Sequence, residues 1–309
     1  MTRVAAIDCG TNSLRLLIAD IDVAHGTLVD IDREMKVVRL GQGVDRTRRF
    51  ADEALERTFA VCRDYAQRLA AHHVERSRFV ATSASRDVSN RDAFVDGVRR
   101  ALGVEPEVIS GDEEAALSFA GATRELAGVQ GMPEPYLVVD IGGGSTEFVV
   151  GGRVVDAARS VDIGCVRLTE RHLRDDPPTA AQVDAARADI VAAIDIAAQT
   201  VPMQKAATLV GLAGSVTTVA ALALGLDAYD PVRLHHSRVT SAQVHEVAEQ
   251  LLAMTRSERA ALPVMHPGRV DVIGAGALVL DTIVDRVGAA EVVVSEHDIL
   301  DGIAFSIGG

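Results

Sequence analysis

The sequence predicts an α/β protein built as two similar halves, and three observations carry that reading. The first is an internal echo. Ala6–Asp20 (AIDCGTNSLRLLIAD) matches Val138–Gly152 (VVDIGGGSTEFVVGG), with Asp8 opposite Asp140, Gly10 opposite Gly142 and Ser13 opposite Ser145. The second is the pattern that follows each copy, in which short apolar runs alternate with helix-period stretches, as in a sheet fed by helices. The third is a cluster of turn formers, Gly128, Gly131, Pro133 and Pro135, inside Arg124–Pro135, which marks a join. The expected domains are residues 1–124 and 125–309, with the two Asp-bearing hairpins facing each other across a cleft.

Each element follows from local chemistry. Both copies of the echo are an apolar run ending in Asp, a small-residue turn and a second apolar run. Gly, Asn and Ser supply the turn angles, so each copy reads as two strands in a tight hairpin. Leu55, Phe59, Cys62 and Leu69 then fall at helical spacing. Arg78–Ser83 (RFVATS) is a strand entering a small-residue loop before a helix, and Glu107–Gly111 (EVISG) precedes a helix that opens on Asp112. In the second half Val183, Ala186, Ile190 and Ile194 repeat the helical spacing. Thr208–Gly214 (TLVGLAG) runs into Ser215-Val216-Thr217-Thr218, and Glu291–Ser295 (EVVVS) precedes a helix from about Asp298. Ala206–Leu226 carries no charge and has the length of a membrane span. Gly211, Gly214 and Ser215 nevertheless make it a turn between a strand and a buried helix. Pro177 and Pro178 place a further loop at Asp175–Thr179.

Composition narrows the function classes. At roughly 150 residues per domain, 309 residues make about two domains. The charge is 31 − 44 = −13, so a general nucleic-acid partner is disfavoured, because a polyanion needs a basic footprint. With no Trp and 3% aromatics, base-stacking platforms are not expected. Lys36 and Lys205 are the only lysines, so any bound anion meets mainly the forked guanidinium group. Cys9, Cys62 and Cys165 are odd in number, far apart and form no C-x-x-C pair, which reads as small buried hydrophobes in a reducing compartment. The apolar run in Met1–Gly10 is only Val4–Ile7, too short for a secretory signal. The expectation is a soluble cytoplasmic protein with no membrane partner.

Three segments carry candidate chemistry. In Asp140-Ile141-Gly142-Gly143-Gly144-Ser145-Thr146, consecutive glycines let backbone N–H groups close around an oxyanion. An Asp ending the preceding strand can hold Mg²⁺. A lone glycine triplet would read as a plain hairpin; its recurrence at Asp8–Ser13 favours phosphate. In Ser110-Gly111-Asp112-Glu113-Glu114-Ala115, acids open a helix and satisfy its dipole. One of them, poised on water, would be a general base, and composition does not say which. In Thr82-Ser83-Ala84-Ser85-Arg86, Arg86 either forks a phosphate or pairs on the surface with Asp87 or Asp92. His235-His236 with Arg233 and Arg238, the Arg46/Arg48/Arg49 group and the Arg167/Arg171/Arg174 group read as solvated faces. There is no Gly-Lys phosphate loop, no H-E-x-x-H and no G-x-S-x-G.

Taken together, Asp8–Ser13, Ala81–Asn90, Ile109–Ala115, Asp140–Glu147, Ile163–Leu168, Gly211–Thr218, Arg269–Leu280 and Val294–Gly302 resemble, in order, the motifs of the exopolyphosphatase / guanosine pentaphosphate phosphohydrolase family, of its short two-domain type. The resemblance implies two duplicated actin-like (ribonuclease H-like) domains flanking an interdomain cleft. It implies that Gly142, Gly143, Gly144 and Ser145 bind phosphate, opposed by Asn12 and Ser13, with Gly214 and Ser215 in a further turn. It implies Asp140 and Asp8 as ligands of Mg²⁺ or Mn²⁺, Arg86 as the phosphate-gripping arginine, Glu114 as catalytic base and Glu147 as a supporting acid. It further implies a homodimer acting on inorganic polyphosphate. Hydrolysis of pppGpp in the same site, an actin-fold kinase and a (p)ppGpp or ATP sensor are the competing readings.

Overall fold

The computed structural model describes residues 1–126 and 129–308. Gly128, one of the turn formers at the expected join, lies outside the described residues. The chain divides into two compact units, Met1–Gly121 with Ile299–Gly309, and Ala122–Asp298.

The first unit contains β1 (Thr2–Cys9), β2 (Ser13–Asp22), β3 (Thr27–Val37), α1 (Val44–Thr47), α2 (Asp52–Ala71), β4 (Arg76–Ala81), α3 (Ser83–Arg86), α4 (Arg91–Leu102), β5 (Pro106–Val108) and α5 (Gly111–Thr123), which runs over the boundary. Its sheet has the order β3-β2-β1-β4-β5. The first three strands form an antiparallel meander, and β4 and β5 join in parallel. β1 lies in the middle, which is why Val4–Ile7 is an unbroken apolar run. Alternate residues of a strand face opposite sides. Accordingly Ala5, Ile7 and Cys9 pack with Leu55, Cys62 and Tyr65 of α2 and Phe94 and Val98 of α4, whereas Val4 and Ala6 face the other way.

The second unit repeats the plan. It contains β6 (Tyr136–Ile141), β7 (Thr146–Gly151), β8 (Val155–Val161), α6 (Cys165–Arg171), α7 (Ala180–Ala198), β9 (Thr208–Leu212), α8 (Ala213–Ala223), α9 (Pro231–Leu234), β10 (Arg238–Thr240), α10 (Ser241–Ala253), α11 (Arg256–Ala260), α12 (Ile273–Val287) and β11 (Glu291–Val294). The sheet order β10-β11-β9-β6-β7-β8, read from its far edge, reproduces that of the first unit with β10 added. Leu137, Val139 and Ile141 of β6 share one core with Ala186, Ile190 and Ile194 of α7 and with the buried face of α12. The uncharged stretch at Ala206–Leu226 forms β9 and α8 as expected. Among the described residues no helix is long and apolar enough to cross a membrane. All three cysteines are free and buried.

The expected domain limits need correction at the C-terminus. The last helix, α13 (Ile299–Gly308), belongs to the first unit. Its Ile299, Leu300, Ile303, Ala304 and Ile307 cover Val4, Ala6, Leu17, Ala19 and Ile21, the sheet face that α2 and α4 leave bare. Burying that apolar face drives the chain back across the boundary. Arg33 of β3 reinforces the docking through an ion pair to buried Asp301 at 2.6 Å.

Candidate active site

The β1–β2 and β6–β7 turns are built alike. In the first, Gly10 N donates to Ser13 O at 3.0 Å; in the second, Gly142 N donates to Ser145 O at 3.0 Å. In both, carbonyls of the turn are taken by the segment that follows the third strand. Thr11 O accepts from Gly41 N, and Asn12 O from Val38 N and Arg39 N. Gly142 O accepts from Cys165 N, and Gly143 O from Val166 N and Arg167 N. With carbonyls engaged on one side, amides of the turn can point to the other, which is how a short backbone nest binds an anion.

The segment behind each turn contains a glycine pressed against it. A Cβ on Gly41 would lie 2.3 Å from Thr11 Cγ2, and a Cβ on Gly164 would lie 2.6 Å from the Gly143 carbonyl carbon. Neither glycine was a candidate from sequence. The two lie at unequal distances beyond their turns, because β2 and β3, of 10 and 11 residues, are both longer than β7 and β8, of 6 and 7.

The first unit resolves which of the three acids at the start of α5 turns inward. Asp112 and Glu113 are exposed, and Glu113 is tied to Arg78 at 2.6 Å. Glu114 is buried, and Arg86 Nη1 donates to its Oε2 at 2.7 Å and to Ile109 O at 3.2 Å. The fold therefore brings Arg86 and Glu114 together, and Arg86 pairs with neither Asp87 nor Asp92 in these contacts. Asp8, also buried, receives Arg15 Nε at 2.9 Å and Nη2 at 2.7 Å on one oxygen. A cation at Asp8 would share its carboxylate with that guanidinium.

In the second unit Asp140 and Glu147 are register partners on β6 and β7, so both carboxylates leave the same face. Both are buried, Glu147 to 1% exposure, and Glu147 accepts from Ser160 Oγ at 2.7 Å. Two hard oxygen donors of this kind suit a small divalent cation that keeps some of its water. Gly142 and Gly143 are half-buried and Ser145 is buried.

The β9–α8 turn contributes Gly214 and Ser215. Ala213 adopts φ 67°, a left-handed conformation that is strained for a residue with a Cβ. Gly214 has no such side chain, and a Cβ there would collide with the Arg269 guanidinium at 2.2 Å. Ser215 is buried, and the amides that open the helix offer anion-binding donors at this turn.

The fold also brings His297 to the adjacent pair His235 and His236. His235 stacks on His236 with ring centroids 3.7 Å apart and lies 4.5 Å from His297. Glu125 Oε2 is 3.2 Å from His235 Nε2 and 3.3 Å from His297 Nδ1. The spacing would admit a metal ion, but the hydrogen bonds oppose one. The Glu296 amide donates to His235 Nδ1 at 3.2 Å, which puts the ring proton on Nε2, facing Glu125. A metal-bound imidazole instead donates from its second nitrogen.

The Ppx/GppA phosphatase family model matches residues 17–308. The chain belongs to the Ppx/GppA phosphatase family. Over 320 aligned positions, covering 100% of the chain and 99% of the relative, it is 54% identical to exopolyphosphatase 2 of Mycobacterium tuberculosis. The crystal structure of an exopolyphosphatase-like protein superposes with a TM-score of 0.95 at 47% identity, covering 99% of each chain. A guanosine-5′-triphosphate,3′-diphosphate pyrophosphatase of Vibrio atlanticus is 36% identical over 197 residues, 62% of this chain and 38% of the relative. Ppx/GppA membership agrees with the duplicated α/β plan read from the two hairpins.

Proposed function

We propose that this chain is an exopolyphosphatase, which removes the terminal phosphate of inorganic polyphosphate by hydrolysis. The full-length identity to the Mycobacterium tuberculosis enzyme supports the choice of substrate. The single observation that carries the mechanism is Glu114, the one acid of its trio that is buried and held by an arginine.

In this reading the amides of the Gly142–Ser145 turn, with Asn12 and Ser13 of the first turn and the opening amides at Gly214 and Ser215, bind phosphate oxygens. Arg86 shifts part of its guanidinium from Glu114 to the terminal phosphate and offsets its charge. Glu114 takes a proton from a water molecule aligned with the bridging oxygen. A new P–O bond forms as the bridging P–O bond breaks, orthophosphate is released, and the shortened chain leaves on the bridging oxygen. Such transfer depends on position and electrostatics and needs no protein nucleophile. Asp140, with Glu147 behind it, would hold Mg²⁺ or Mn²⁺, with Asp8 as a second carboxylate shared with Arg15. When bound, the ion would neutralise charge on the phosphate oxygens. A cytoplasmic homodimer belongs to the same reading.

Glu114→Ala is expected to lower turnover by about 10²–10⁴-fold, the usual worth of a general base, while polyphosphate still binds. Phosphate release from polyphosphate of defined length, measured beside equilibrium binding, checks this. Near-normal turnover would remove Glu114 from the reaction.

Hydrolysis of pppGpp at its 5′ end is a second reading, favoured by the similarity to the Vibrio atlanticus protein. Assaying both substrates side by side with the same preparation separates the two. Phosphate release without an acceptor would also exclude the kinase reading, and binding without turnover would support a sensor.

A further inference from the structure

A loop of three glycines has no side chains with which to pack, so its shape must be fixed through its backbone. In the Gly142–Gly144 turn all three carbonyls have partners, and all the partners come from one short segment. Gly142 O takes Cys165 N at 3.0 Å, and Gly143 O takes Val166 N at 2.9 Å and Arg167 N at 3.1 Å. Gly144 O takes the side chain of Arg167, whose Nε donates at 2.7 Å. Arg167 is only 7% exposed, against the solvated face expected from its spacing with Arg171 and Arg174. The exposed carboxylate of Asp162 lies 3.7 Å from Arg167 Nη2. Burying a cation is unfavourable unless its hydrogen bonds are made with good geometry, and the 2.7 Å bond to Gly144 O meets that need.

We infer that Arg167 is a positioning residue for phosphoryl hydrolysis: its guanidinium and the Gly164 backbone beneath it hold the Gly142–Gly144 turn with its amides aimed at the terminal phosphate. This rests on the reading of that turn as the phosphate-binding loop. Arg167 touches neither substrate nor water in this scheme and acts through Gly144. Gly164 supplies the floor, since a Cβ there would stand 2.6 Å from the Gly143 carbonyl and 2.7 Å from Gly144 N. Its φ of −168° is ordinary extended backbone, so the requirement for glycine at this point is steric. A misplacement of about 1 Å in such a loop is worth up to roughly a hundredfold in rate.

The test uses Arg167→Lys, Arg167→Gln, Arg167→Met and Gly164→Ala in the full chain. Lysine keeps the charge but not the fixed fork, and glutamine keeps an N–H donor without the charge. Each is expected to lower kcat for polyphosphate by about 10–100-fold with KM within about threefold of wild type. Arg167→Gln is expected to retain more activity than Arg167→Met, because it can still donate to Gly144 O. Amide hydrogen exchange, followed without substrate, is expected to speed up in peptides spanning Gly142–Ser145 while those from the first unit stay unchanged. Variants that fold, turn over within twofold of wild type and exchange normally at the turn would overturn the inference while leaving the exopolyphosphatase reading intact. If wild type releases no phosphate, that reading fails by itself, and the exchange measurement alone decides whether Arg167 holds the turn.

Discussion

Glu114 faces inward because of its place on α5. Residues three and four positions on, Leu117 and Ser118, are buried on the same stripe, whereas Glu113 sits one step round the helix and meets Arg78. The sequence showed three adjacent acids and an arginine at a strand end. It could not show that one acid and that arginine, 28 residues apart, lie within 2.7 Å. A second residue-scale consequence concerns His236. Burial holds its imidazole below the ordinary range, and His235 and His297 push the same way against Glu125. The unfolded chain therefore takes up a proton at about pH 6.5, before the folded one does. Stability is complete above that pH and declines as the pH falls toward the folded value. His236→Asn, which tolerates the φ of 61° at this position, is expected to show a smaller loss of melting temperature between neutral and mildly acid pH. Parallel slopes for the two proteins would contradict it. Arg167 shows the opposite limit of legibility. Its spacing to Arg171 and Arg174 mimics an exposed helical stripe, and nothing local signals that α6 packs its first turn under a glycine loop 23 residues earlier.

At the scale of elements, the hairpins were legible because everything that defines them is local: an apolar run, an Asp, a tight turn and a Ser. The support behind them was not, because β2 and β3 span 10 and 11 residues while β7 and β8 span 6 and 7, so Gly41 and Gly164 fall out of step in any simple alignment of the halves. Gly41→Ala would place a methyl group 2.3 Å from Thr11 Cγ2 and 3.2 Å from Ala84 Cβ. Overpacking of this kind costs about 1–3 kcal/mol. Thr11→Ser deletes the offending methyl but keeps the hydroxyl that meets Ser83 Oγ at 3.0 Å. The double variant is therefore expected to recover at least half of the stability lost by Gly41→Ala, as read from denaturant midpoints. Additive losses in the double variant would show that the turn is not held by this contact.

On the scale of the whole molecule, the net charge of −13 must be reconciled with a polyanionic substrate. Attraction then depends on local arginines, and exposed charges are screened within about 8–10 Å at ordinary ionic strength. KM for polyphosphate is expected to rise with added KCl while kcat changes little. A Michaelis constant insensitive to salt would place the binding energy elsewhere. The two-unit plan was readable because duplication leaves the same signature twice. The ownership of α13 was not, because an amphipathic terminal segment carries no mark of which sheet it will cover; only the bare face of Val4, Ala6 and Leu17 decides it.

That late return of the chain has a bearing on biosynthesis. The second unit is one continuous stretch, Ala122–Asp298, and can condense as soon as it clears the ribosome. The first unit, though translated earlier, waits for its final ten-residue helix with half of its central sheet greasy and uncovered. A chain released from the ribosome after Asp298 would thus present a finished second half beside an adhesive first half.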